Sequence, residues 1–210
     1  MTGFTPDWLQ LREPADHRSR NPASDRISVI DLGCGTGSNL RGTAHLLAPS
    51  QSWTLVDYDP ALLAAARSKL ALWADSADIA DHGLILRKAS RTIAVTFRQA
   101  DVAANLDQAL DGDADLVTAS ALFDLCSAPF INQFARAVAK KRSAFYTVLT
   151  YNGVQRWFPR HPSDQSMAQA FNQHQMRDKG FGLSAGPMAP TELSDAFLSM
   201  GYSVAEGDSP

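Results

Sequence analysis

Three carboxylates and three glycines in this chain are spaced for ligand chemistry. The run Val-Ile-Asp-Leu-Gly-Cys-Gly-Thr-Gly occupies 29–37. Asp31 stands at the end of a short apolar stretch. The chain then turns through Gly33, Gly35 and Gly37 before a helix-compatible stretch from Ser38. Glycines spaced this way let backbone approach a bound ligand where any Cβ would clash. Asp57 lies about 20 residues beyond Gly37, at the end of a second apolar run, where nucleotide-binding sheets hold a carboxylate for adjacent ribose hydroxyls. Asp59 precedes Pro60 and reads as the cap of a helix starting there. A third acid, Asp101, comes after a third β-rich run.

The elements that must position these residues can be read from periodicity. Ile27 to Ile30 forms the first strand. Leu40, Ala44 and Leu47 recur at helical spacing, and Pro49 closes that helix. Trp53 to Val56 is the second strand. Pro60 opens a long helix whose buried stripe is Leu62, Leu63, Ala66, Leu70 and Trp73. Leu84 to Arg87 and Thr92 to Arg98 read as a hairpin whose second arm is the third core strand. Its basic residues Arg87, Lys88, Arg91 and Arg98 read as a solvated strand edge, which discourages aggregation. Leu116 to Ala119 is a continuous buried strand. Ser127 caps a helix with Pro129 at its first position and Phe130, Ile131, Phe134 and Val138 inside. Lys140, Lys141 and Arg142 close it, where cations suit the helix dipole. Ala144 to Thr150 is the fifth strand. Alternating strands and helices give an α/β fold, a doubly wound and mostly parallel sheet.

Composition narrows the function. The 210 residues are 45% hydrophobic and 20% charged, ordinary values for one globular domain. A net charge of −3 gives no general attraction to nucleic acid or to an anionic membrane. No apolar stretch reaches the roughly 20 residues that span a bilayer. The polar start of the chain lacks a signal-peptide core. The two cysteines, Cys34 and Cys126, make neither a disulfide framework nor a zinc site. A cytoplasmic chain with reduced thiols, no metal, no nucleic-acid partner and no membrane contact is expected.

The glycine turn resembles the first motif of the class I, Rossmann-like S-adenosylmethionine-dependent methyltransferases, an acid followed by Gly-x-Gly-x-Gly. A nicotinamide fingerprint would read Gly-x-Gly-x-x-Gly, and here Gly37 falls one residue early. Leu-Val-Asp-Tyr-Asp-Pro at 55–60 resembles the family's ribose-binding strand end, which implies Asp57 and Tyr58 as cofactor contacts beside Asp31, Gly33, Gly35 and Gly37. Gln-Ala-Asp-Val at 99–102 implies Asp101 and Val102 for adenine. The 116–124 stretch resembles the fourth strand and its exit loop, implying Ser120, Ala121 and Leu122 for the methionine end and the acceptor. The resemblance covers 27–150. It implies a single domain: an N-terminal cap (1–26), a cofactor-binding core (27–150), a substrate-side insertion (151–190) and a C-terminal helix and strand (191–210).

What is methylated is less legible. Phe4, Trp8, Leu9 and Leu11 mark a short helix in the leader, lying over the cofactor edge or acting as a packing arm. In 151–190, Met167, Ala170, Phe171 and His174 suit one helix face, and His174 and Asp178 fall at i and i+4. His174, oriented by Asp178, and Tyr151 at the fifth-strand exit are the candidates for binding the acceptor or taking its proton; a plain surface pair is the alternative. Asp124 lines the site or caps the next helix. Cys34 reads as packing. Cys126 lacks a cytosine-methylating context, and no Asn-Pro-Pro-Tyr motif succeeds the fourth strand, which leaves a small or medium-sized acceptor. A non-catalytic cofactor-binding module and a nicotinamide-dependent oxidoreductase are the alternatives. At the C-terminus, Thr191 to Met200 is a helix with Leu193, Phe197 and Met200 buried and Gly201 as its stop. Tyr202 to Glu206 is the expected sixth strand. Too few residues remain for a seventh, so the open sheet edge offers a pairing surface for a homodimer.

Overall fold

The computed structural model describes residues 25–80 and 83–207. The leader reading of 1–26 therefore lies outside the described residues, apart from its last two. Seven strands form one sheet: β1 (Arg26–Leu32), β2 (Ser50–Asp57), β3 (Ser76–Ala80), β4 (Gly83–Lys88), β5 (Arg91–Gln99), β6 (Leu116–Ser120) and β7 (Ala144–Val148), in the order β3-β4-β5-β2-β1-β6-β7. The centre is parallel: β5 pairs with β2, β2 with β1 and β1 with β6. The β3–β4 and β4–β5 pairs are antiparallel. Six α-helices are described: α1 (Ser38–Thr43), α2 (Pro60–Trp73), α3 (Leu106–Ala109), α4 (Ala128–Lys141), α5 (Asp164–Gln175) and α6 (Ala189–Ser199).

The chain clusters into two compact units. The first holds the described residues up to Ala119, with Lys141–Tyr146 and 205–207. Its core joins Val29, Leu40, Trp53, Leu55, Leu70, Leu86, Ile93 and Val95. The near-continuous burial of β1 and β6 fits strands covered on both faces. Gln51 is buried here, yet fully used. Its amide donates to the Ala44 and Ala48 carbonyls at 2.7 and 2.8 Å, and its Oε1 accepts from the Trp53 indole at 2.8 Å. Asp59 caps α2, accepting from the Ala61 N–H at 2.8 Å. Leu63, Ala66 and Leu70 form the buried stripe, while Leu62 and Trp73 are half-buried.

Two sequence expectations fail at the ends of the sheet. Strand β3 was not foreseen. Its register against β4 (Ser76 opposite Arg87, Ala80 opposite Gly83) makes it the true edge. The basic residues of the hairpin are mostly committed rather than solvated: Lys88 pairs with Asp75 at 2.7 Å, and Arg91 donates to the His45 carbonyl at 2.6 Å. Arg98 donates to the Ala109 and Asp111 carbonyls at 3.0 and 2.9 Å. The sixth strand expected over Tyr202–Glu206 is absent; 202–207 carry no strand pairing.

The second unit comprises Ser120–Lys140 and Thr147–Val204. Ser127 caps α4, its Oγ accepting from the Phe130 N–H at 3.3 Å. Pro129 falls one position later in the helix than expected. Phe123 and Phe134 pack at 4.9 Å between ring centroids, and Phe134 meets Phe197 at 6.0 Å. Helix α6 ends as foreseen at Gly201, whose φ is +83°. The Gly201 N–H reaches the Leu198 carbonyl and the Tyr202 N–H the Phe197 carbonyl. This is a Schellman closure, completed by Phe197–Tyr202 ring contact at 5.1 Å. It turns Tyr202 back onto its own helix, which is why the expected strand does not start there. Met200, expected inside, is 38% exposed.

Candidate functional site

The glycine turn is built as its sequence demands. Gly33, Gly35 and Gly37 have φ of +60°, +53° and +75°, a region that Cβ-bearing residues resist. Three hydrogen bonds donated by backbone N–H groups lock the turn. Cys34 N–H donates to the Val56 carbonyl at 3.0 Å, and Gly37 N–H to the Cys34 carbonyl at 2.9 Å. Gly35 N–H donates to Asp57 Oδ2 at 2.9 Å. A Cβ on Gly35 would meet nothing within 4 Å, so the space over this loop is open. Asp57 Oδ1 also accepts from the Asp59 N–H at 3.0 Å. Each of its oxygens thus has one protein donor and keeps acceptor capacity for a ligand hydroxyl. Tyr58 is 70% exposed beside it.

Asp31 is the least ordinary group in this unit. It is fully buried. Its Oδ1 accepts from Asn39 Nδ2 at 2.8 Å, while its Oδ2 is buried with no hydrogen-bond partner. Burial pushes the carboxyl up to about 7; the Asn39 bond opposes the shift and the nearby Asp57 charge adds to it. Asn39, which the sequence reading missed, also donates to Thr118 Oγ1 at 3.1 Å and accepts from Thr43 Oγ1 at 3.2 Å. The available signal was polar: Thr118 interrupts an otherwise apolar strand. Cys34 is buried, and burial with the Asp31 and Asp57 charges drives its thiol strongly upward, so it packs rather than attacks.

Asp101 Oδ1 caps the succeeding turn, accepting from the Ala103 and Ala104 N–H groups at 2.9 and 3.2 Å. Val102 is buried.

In the second unit, Ser120, Ala121 and Leu122 leave strand β6. Ala121 has φ +53°, a strained conformation for a residue with a Cβ, and its N–H donates to the Val148 carbonyl at 3.0 Å. Leu149, just past β7, has φ +58°. Tyr151 is two residues on, its hydroxyl donating to Asn172 Oδ1 and accepting from Gln155 Nε2, both at 2.6 Å. Its ring meets Phe171 edge-on at 5.3 Å.

The structure does not join His174 to Asp178. Helix α5 stops at Gln175, so the i, i+4 geometry is lost. Asp178 Oδ1 instead accepts from the Gly180 and Gly182 N–H groups at 2.7 and 3.1 Å. His174 is exposed, and no residue of α5 is buried. Asp124 does not cap α4, since Ser127 does. It sits in a 3₁₀ turn, 7% exposed.

A family model described as "Methyltransferase domain" matches residues 29–141, more than half of the chain. No curated protein matches the chain. Among solved structures, an O-methyltransferase family protein from Burkholderia thailandensis is similar at a TM-score of 0.56 and 19% identity, over 95% of this chain and 53% of that one. The mycolic acid cyclopropane synthase CmaA1, complexed with SAH and CTAB, is similar at 0.56 and 12% identity, over 95% and 61%. Cyclopropane synthase MmaA2 from Mycobacterium tuberculosis is similar at 0.52 and 12% identity, over 92% and 61%. At these identities the likeness is one of fold, and the chain spans 53–61% of the length of these three structures.

Proposed function

The chain belongs to the methyltransferase-domain family, and on that premise we propose that it transfers the methyl group of S-adenosylmethionine to a small or medium-sized acceptor. The observation that carries this reading is the bonded pair of Gly35 N–H and Asp57 carboxylate beside a buried Asp31 oxygen with no partner. These groups fit the cofactor's chemistry. Asp57 offers acceptors to ribose hydroxyls, with Tyr58 alongside. The open face over Gly35, between Gly33 and Gly37, admits a ligand close to backbone. Asp31 Oδ2 calls for a cationic donor such as the methionine ammonium, because a buried acceptor without a bond is costly. Asp101 and Val102 keep the adenine role, and Ser120, Ala121 and Leu122 the methionine-side role, that the resemblance implies.

Bound S-adenosylmethionine supplies an activated methyl on a sulfonium. The protein's task is then to bind, to align the acceptor and to exclude water. On the acceptor side we place Tyr151, whose hydroxyl is fixed by Asn172 and Gln155, and His174 at the exposed end of α5. The whole chain reads as one domain, with 151–190 as the acceptor-side segment. The net charge of −3 favours a small molecule over nucleic acid, two buried free thiols suit the cytoplasm, and the terminal position of β7 in the sheet suits homodimer pairing. No helix among the described residues is long and apolar enough to cross a membrane.

The test is incubation with S-adenosylmethionine and a panel of amines, phenols and thiols, read by mass spectrometry. Methylated product that disappears in Asp57→Ala supports the reading. Tight cofactor binding with no product from any acceptor would replace it with a non-catalytic binding module.

A further inference from the structure

Among the described residues of the second unit, Asp124 is the one buried acid. Its Oδ1 is buried with no hydrogen-bond partner. Its Oδ2 has a long contact, 3.5 Å, from Gln175 Nε2. Gln175 cannot turn freely toward it, because Gln175 Oε1 accepts from Lys179 Nζ at 2.9 Å. That bond fixes the amide with its N–H groups toward Asp124. The Lys179 ammonium has no donor left to offer. It also donates to the Gln175 carbonyl at 2.9 Å and the His174 carbonyl at 3.2 Å, which uses all three of its N–H bonds.

A carboxylate out of water needs a partner that is charged or strongly hydrogen-bonding. Within its own unit Asp124 has a long amide contact at Oδ2, the backbone N–H groups of Asp124 and Tyr151 nearby and a spent cation, while its Oδ1 is left without a bond. We propose that Asp124 Oδ1 binds the ammonium of a cationic acceptor, so that the substrate class is a primary or secondary amine carried on an apolar body. This rests on the methyltransferase reading above and narrows its acceptor. The apolar body matches an aromatic pair in the same unit: the Tyr151 and Phe171 rings stand in edge contact, and Phe171 is 43% exposed. Asp124 is a binding and positioning residue, and its ionised Oδ1 also stands ready to take the proton that an ammonium must lose before its nitrogen can act as a nucleophile.

The charged and titratable neighbours agree with this assignment. Burial pushes the Asp124 carboxyl above its ordinary range; its own backbone N–H, the Lys179 charge and the Tyr151 backbone N–H oppose the shift. Burial, with the Asp124 charge adding to it, raises the Cys126 thiol strongly. Thus no thiolate competes for the amine.

The experiment is calorimetric titration of the full chain with phenethylamine and with 2-phenylethanol, near-isosteres that differ in charge. Wild type and Asp124→Asn are compared, and adenosylhomocysteine affinity is measured alongside in each. The expected result is that wild type binds the amine at least tenfold more tightly than the alcohol and that Asp124→Asn loses this preference. Equal affinity for amine and alcohol in wild type, no amine binding, or an undiminished preference in a folded Asp124→Asn would overturn the proposal. Should the variant not fold, the wild-type pH profile decides. Amine affinity falls about tenfold per pH unit once Asp124 is protonated, with an onset above the ordinary carboxylate range. A flat profile through that range overturns the assignment. Loss of adenosylhomocysteine binding is a separate failure, of the cofactor reading, because the amine titration runs without cofactor.

Discussion

Replacing Asp31 by Asn should abolish a large pH dependence of stability. The carboxyl is fully buried and its pKa is raised from 3.8 to about 7. In the unfolded chain it ionises near its ordinary value. Between the two values the folded state binds a proton that the unfolded state has released, so stability falls as pH rises. The slope is about 1.4 kcal/mol per pH unit, and the total over about three units is about 4 kcal/mol. The contribution is fully present below the ordinary carboxylate range and is lost by about pH 7. Asn has the same shape, keeps an oxygen to accept from Asn39 and carries no charge. Urea unfolding of wild type and variant at pH 5 and pH 8 isolates the effect, because every other titrating group is common to both. The variant should gain on wild type by about 3 kcal/mol between these two pH values. Adenosylmethionine at pH 8 should stabilise wild type more than the variant, through its ammonium. Parallel pH profiles would refute the reasoning, since they would mean that Asp31 is either solvated or already paired.

Asn39→Ala removes the side-chain donor to Asp31 Oδ1 found among the described residues and should cost about 2–3 kcal/mol, seen as a lower urea midpoint; a neutral result would contradict the buried network. A Cβ on Gly83 would overlap the Val95 carbonyl oxygen. Gly83→Ala should therefore lose about 2–3 kcal/mol, and an unchanged Tm would contradict the β4–β5 register. Gly201→Ala meets no neighbour within 4 Å but keeps φ +83°, so its cost is conformational alone, about 1 kcal/mol. Calorimetric unfolding indistinguishable from wild type would contradict the Schellman end of α6.

The central strands were legible because burial on both faces writes itself as apolar runs, as in Val29-Ile30 and Leu116-Val117. Asp57 was legible because spacing after a glycine turn is set by the length of one helix and one strand. Strand β3 was not. Ser76–Ala80 holds one large apolar residue, Ile79, and it is 82% exposed. That strand is held by backbone pairing, which composition does not record. Tyr202 and Val204 alternate like a strand, but the helix closure before them directs Tyr202 to Phe197. At the site, the glycine loop and Asp57 were visible as types and spacing. Asn39 was not, because an Asn in the first turn of a helix reads as a local cap. The His174–Asp178 pair failed for a related reason. Spacing implies contact only while the helix continues, and two glycine N–H groups claim Asp178 once it has ended. Asp124 looked like a cap because Ser127, the actual cap, stands three residues away.

The central claim is tested most directly by calorimetric titration of the chain with adenosylmethionine, adenosylhomocysteine and NAD, with Asp57→Ala as control. Micromolar affinity for the first two, none for NAD, and loss of binding in the variant are expected. Binding of NAD in preference, or no binding of either sulfur compound, would contradict the role assigned to Asp31, the glycine turn and Asp57.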